Sequence, residues 1–112
     1  MNNMQKMRDS NSRIRKALVS LGFSDIVLFP HSRFFKDVWH LFDGCCKKCV
    51  EASPIFDVYW IQAKTGYAPV EQKNAIEEFC FLSGQKAIVA EVVHDSSIRK
   101  NGKKVRLSFY GR

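Results

Sequence analysis

Near one end of the strongest strand in the chain sit two polar groups that a buried strand does not need. IFDVYWIQAK, residues 55–64, alternates so that Phe56, Val58, Trp60, Gln62 and Lys64 share one face. An amide and an ammonium two residues apart mark either a strand emerging into solvent or a polar pair kept for use. The acid Asp43 closes the preceding run DVWHLFD, residues 37–43. In a simple hairpin Asp43 would face Asp57, and only an offset register or a bend would bring it to Gln62 and Lys64. Asp37 is about 20 Å along the same run, too far to share an ion with Asp43. Asp57 has the wrong parity to join Gln62 unless a bulge intervenes. A second cluster, CCKKC, holds Cys45, Cys46 and Cys49, with Cys80 apart from it. One CxxC spacing is half of a structural zinc site. The alternative is a flexible hairpin tip whose Lys47 and Lys48 touch phosphate.

These groups belong to a chain of 112 residues, enough for one domain over 1–112. Hydrophobic residues make up 46% and charged residues 26%, which excludes wholesale disorder and fibrous classes. No apolar run reaches the roughly 18 residues of a membrane span. No membrane association, secretory leader or disulfide frame is expected, so the expected location is cytoplasmic, inside the host cell if the source is viral. Lys and Arg number 18 against 11 Asp and Glu, a net +7. The cations crowd both ends, Arg13 and Lys16 among them, and favour a polyanionic partner, nucleic acid before membrane surface. A solvated basic surface is the plainer account.

Periodicity supplies the elements. Residues 1–9 read as a basic flexible arm. Ile14, Leu18 and Leu21 recur at helical spacing, with Ser10 or Ser12 as cap and Gly22 as stop. IVLF at 26–29 reads as a buried strand, 37–43 as a strand, and GCCKKCVEASP as a loop between Gly44 and Pro54. After strand 55–64, Pro69 opens a helix with Ile76, Phe79 and Cys80 on its apolar face, ending near Gly84. KAIVAEVV at 86–93 and VRLSFY at 105–110 are strands, with Asn101-Gly102 a turn signal between them. Phe23, Phe29, Phe42, Trp60 and Phe79 are core candidates. Phe34, Phe35 and Trp39, interleaved with Arg33 and Lys36, suit packing or base stacking. The α-β-β-β-α-β-β order gives an α/β class: a central mixed sheet of about five strands flanked by helices.

FDGCC…IFDVYWIQAKTG, preceded by the helix end LVSLGF, resembles the PD-(D/E)xK nuclease superfamily. It is similar to archaeal and viral Holliday junction resolvases and to the Gln-x-Lys catalytic domain of Mrr-like restriction endonucleases. The resemblance spans roughly residues 10–90 and implies a restriction-endonuclease-like core. By it, Asp43 is a ligand of Mg²⁺ or Mn²⁺, Gln62 a neutral oxygen ligand where most members carry Glu, and the Ala63 carbonyl a third. Lys64 positions the attacking water. Many members carry a Glu on the first helix; Asp9 is the acid nearest that place. Ser32 and Arg33 fall where similar nucleases contact DNA backbone. Gln72 and Lys73 open the second helix, whose amides and ammonium could meet phosphate.

The expected function is a metal-dependent, structure-specific DNA endonuclease that hydrolyses phosphodiester bonds. The favoured form is a Holliday junction resolvase, active in recombination and repair as a homodimer, because two symmetric cuts suit a two-fold axis. The rivals are a restriction- or repair-type duplex nuclease, a catalytically inactive nucleic-acid-binding relative, and a zinc adaptor built on CCKKC.

Overall fold

The computed structural model describes residues 3–28, 41–49, 55–98 and 102–111. Its order is α1 (Asn3–Ser20), β1 (Ser24–Leu28), β2 (Gly44–Cys49), β3 (Phe56–Thr65), α2 (Val70–Ser83), β4 (Lys86–His94) and β5 (Lys103–Tyr110). The five strands form one sheet in the order β1-β2-β3-β4-β5. Pairing is antiparallel except between β3 and β4, which run parallel because α2 carries the chain back across the sheet.

Each face of the sheet is covered by a helix. On one, Ile14 and Leu18 of α1 pack with Phe23, Cys46, Ile61, Ile88, Ala90 and Val92. On the other, Ile76 and Cys80 of α2 pack with Phe42, Ala68, Ala87 and Val89. The alternation 87/89 against 88/90/92 along β4 is the period of two that splits one strand between two cores. With both faces covered, β4 is buried from Ala87 to Val93, so KAIVAEVV has to be nearly all apolar. Its exception is Glu91. Among the described residues no helix is long and apolar enough to cross a membrane.

The helices end where their stop residues stand. Gly22, at φ 91°, closes α1 in a Schellman turn: Phe23 N–H donates to the Leu18 carbonyl and Gly22 N–H to that of Val19. Pro69 precedes α2 and Gly84 ends it at φ 73°. The start of α1 differs from expectation. Residues 3–9 are its first turns rather than a free arm, consistent with a stretch of straight-chain residues that lacks a stop. Ser10 therefore sits mid-helix, and its hydroxyl bonds Thr65 Oγ1 at 2.7 Å instead of capping.

The largest correction concerns β2. GCCKKC is a strand, paired with β3 from Gly44↔Ile61 to Cys49↔Phe56. Residues 41–43, expected as strand, are a turn and an isolated bridge; 37–40 lie outside the described residues. Gly44 is there for clearance, not for a turn: a Cβ on it would stand 2.1 Å from the Val27 carbonyl oxygen. Lys47 and Lys48 lay their chains over the Phe56 and Phe23 rings, at 5.1 and 5.2 Å, which makes strand residues of them. Strand β1, expected buried, is the sheet edge and is half-exposed. Asn101 lies outside the described residues, and β4 joins β5 through a longer connection, 95–102.

Candidate functional site

The start of β2 decides where Asp43 goes. With Gly44 opposite Ile61, Asp43 arrives beside Gln62 with no offset needed. Its N–H donates to the Ile61 carbonyl at 2.7 Å, and Ala63 N–H donates to Asp43 Oδ2 at 2.8 Å. The half-buried carboxylate thus stands in for a backbone acceptor on the edge of β3. A strand residue presents its N–H and C=O to the same neighbour. The Ala63 carbonyl therefore points to the Asp43 edge as well.

Gln62 is 4% exposed, and its Oε1 has no hydrogen-bond partner among the described residues. Lys64, two residues on, is exposed and makes no ion pair or hydrogen bond there. Both lie on the α2 face. So does Glu91, which pairs in register with Lys64 across β3–β4. Glu91 is 0% exposed. Its Oε2 accepts from Ala68 N–H at 2.6 Å and from Lys73 Nζ at 3.2 Å, while its Oε1 has no partner among the described residues. A buried acceptor left unpaired costs about 1–3 kcal/mol. The two unpaired oxygens belong to diagonal neighbours on adjacent strands, since Gln62 pairs with Val89 and Lys64 with Glu91. Sequence reading took Glu91 as part of a buried strand. The signal available was an acid inside an otherwise apolar run.

Cations surround this carboxylate. Arg106 of β5 is opposite Glu91 on the far side, and its guanidinium lies 5.6 Å from the ring of exposed Tyr67. Lys64, Lys73 and Arg106 thus rim one end of the α2 face. The start of α2 contributes Lys73 by its side chain; the Gln72 and Lys73 amides are already donating to the Pro69 carbonyl.

Other candidates lie elsewhere. Asp9 pairs with Arg13 at 3.0 Å and reaches Lys103 at 4.0 Å, in the α1 layer on the opposite face from Gln62. Lys16 is exposed on α1. Lys47 holds Asp25 at 2.6 Å, and that hydrogen bond raises its pKa. Lys48 pairs in register with Asp57, five residues and about 16 Å along β3 from Gln62. Asp57 itself is taken by Lys86 at 2.9 Å. Ser32 and Arg33 lie outside the described residues, as does Asp37. A groove lined by Asn74, Glu77, Cys80, Phe81 and Gly111 lies between the later turns of α2 and the end of β5 and shares no residue with this site.

The thiols are not brought together. Cys46 is buried in the α1-side core and Cys80 in the α2-side core, while Cys49 is exposed. Strand alternation sends Cys46 and Cys49 to opposite faces, so their CxxC spacing does not converge on one ion. Burial pushes the Cys46 thiol up to about 12. An iodoacetamide time course at pH 8 should therefore label Cys49 first and Cys46 and Cys80 only on unfolding; rapid labelling of Cys46 in folded protein would refute this arrangement. Burying the neutral Cys46 thiol ties the folded state to its protonated form. The unfolded thiol ionises near 9.0, so the stabilisation is complete below that pH and is lost as pH rises towards 12.

Among the described residues no three His, Cys, Asp or Glu side chains converge. A cation at Asp43 would rest on carboxylate, amide and carbonyl oxygens. That donor set suits a hard divalent ion that keeps several waters, and the buried, unpartnered Gln62 Oε1 fits the role of ligand. No family model, curated protein or solved structure matches the chain.

Proposed function

We propose that this chain is a divalent-cation-dependent DNA endonuclease of restriction-endonuclease-like architecture, acting on four-way junctions as a homodimer. One observation carries the reading: the Asp43 carboxylate is tied to the Ala63 N–H, between buried Gln62 and exposed Lys64. The strand order, the parallel β3–β4 pair and the two covering helices support it as a frame.

Asp43, Gln62 and the Ala63 carbonyl would hold Mg²⁺ or Mn²⁺, which would make the attacking water more acidic and shield charge on the phosphate. Lys64 orients that water and neutralises charge as the phosphorane forms. The attacking water would give one proton to solvent as its oxygen bonds to phosphorus, the P–O ester bond would break, and the departing oxygen would take up a proton from solvent. Arg106 and Lys73 bind the flanking phosphates. Tyr67, backed by Arg106, offers a ring to an unstacked base.

The test is cleavage of an immobile four-way junction in Mg²⁺, Mn²⁺ or EDTA, with linear duplex and single strand beside it. Paired symmetric nicks, lost in EDTA, are expected. If the rim and α1 cations neutralise about four phosphates, affinity falls roughly 100-fold between about 50 and 200 mM salt. Equal cutting of linear duplex would instead establish the restriction- or repair-type reading. Gln62 favours one further reading, a binding protein without activity, because a neutral amide weakens the cation site. Tight, salt-sensitive binding with no cutting in either metal would establish that one.

A further inference from the structure

We propose that Glu91 supplies the second carboxylate of the cation site, sharing the ion with Gln62 through their unpartnered oxygens. The proposal rests on the nuclease reading and deepens it. With an amide at position 62, Asp43 is the single charged ligand the Gln-x-Lys pattern provides. The acid sought on the first helix is committed elsewhere, since Asp9 pairs with Arg13 and Lys103.

Among the described residues, just two buried side-chain oxygens lack a hydrogen-bond partner, Gln62 Oε1 and Glu91 Oε1. They belong to the same sheet face, on adjacent strands, two residues apart in register. With strands about 4.8 Å apart and two residues spanning about 6.6 Å, such diagonal neighbours stand about 8 Å apart at Cα, within the combined reach of Gln and Glu side chains. Glu91 is also held in place. Ala68 N–H and Lys73 both bind Oε2, which fixes the carboxylate plane and leaves Oε1 as the coordinating atom. Ala68 N–H holds Oε2 whether or not Lys73 is present, so to the ion Lys73 is a nearby cation that opposes binding. That opposition separates a ligand from a structural anchor, because the two assign opposite signs to the loss of Lys73.

The experiment titrates Mn²⁺ alone into the full 112-residue chain stripped with EDTA, reading free Mn²⁺ by electron paramagnetic resonance. Glu91→Gln should weaken Mn²⁺ binding by about tenfold or more. Glu91→Asp, which keeps the charge on a shorter chain, should fall between it and wild type and serves if Glu91→Gln melts early. Lys73→Met should bind Mn²⁺ as well as wild type or more tightly. If Glu91→Gln and Lys73→Met weaken binding alike, Glu91 acts only by anchoring α2 and the proposal fails. If Glu91→Gln and Glu91→Asp bind as wild type while Asp43→Asn does not, Glu91 is no ligand and the nuclease reading stands without it. Wild-type protein that takes up no Mn²⁺ at millimolar concentration would overturn both.

Discussion

Asp43→Asn should reduce junction cleavage by at least about 100-fold, the loss typical when one preorganised electrostatic group is removed. The fold should survive. Asn keeps an oxygen where Asp43 Oδ2 accepts from Ala63 N–H at 2.8 Å, so β3 retains its partner. What disappears is the charge. Asp43→Ala removes the acceptor as well and leaves a half-buried N–H unpaired, at a cost of about 1–3 kcal/mol. The pair of variants thus divides chemistry from structure: both lose cleavage, and only the alanine loses stability. Lys64→Ala should match the asparagine in activity with little change in melting, because Lys64 is exposed and holds no partner among the described residues. Measured rates would count against this site if Asp43→Asn cut within tenfold of wild type, or if Lys64→Ala retained full activity.

The second large effect is on stability, at a residue outside the chemistry. Gly44→Ala places a Cβ 2.1 Å from the Val27 carbonyl oxygen and 3.0 Å from Leu28 Cα. Both obstacles are backbone, so no rotamer change relieves the overlap and β1 has to separate from β2. The expected loss is about 3 kcal/mol, or roughly 10 °C in melting temperature for a chain of this size. Activity at low temperature should fall too, because Asp43 is the next residue and its position follows from the β2 register. Gly84→Ala provides the contrast. It meets nothing within 4 Å, and its penalty comes from φ 73° alone, about 1–2 kcal/mol. A circular dichroism melt in which Gly84→Ala is the more damaged of the two would show that β1 and β2 do not approach as described.

The difference between these glycines shows what local patterns convey. Gly84 ends a helix, and the apolar spacing of Ile76, Phe79 and Cys80 announces it. Gly44 looks identical in sequence, a glycine among small and charged residues, and reads as loop punctuation. Its role depends on Val27, seventeen positions away. The end of the run DVWHLFD misleads for the complementary reason. Residues 41–43 read as strand, yet Phe42 makes an isolated bridge, and its ring packs against Trp60 at 5.9 Å and Phe79 at 5.3 Å.

Alternation alone determined that Gln62 and Lys64 share a face of β3, because a strand repeats every two residues whatever surrounds it. Proline, glycine and helical spacing likewise bounded α2. What stands beside Gln62 was decided by tertiary structure. Asp43 reaches the Ala63 N–H through the register of β2 on β3, and Glu91 is enclosed because α2 crosses over β4. Cys46 is parted from Cys80 because the sheet lies between their two cores. These are pairings between segments tens of residues apart, fixed by backbone hydrogen bonds and the burial of whole faces, and no local pattern encodes them.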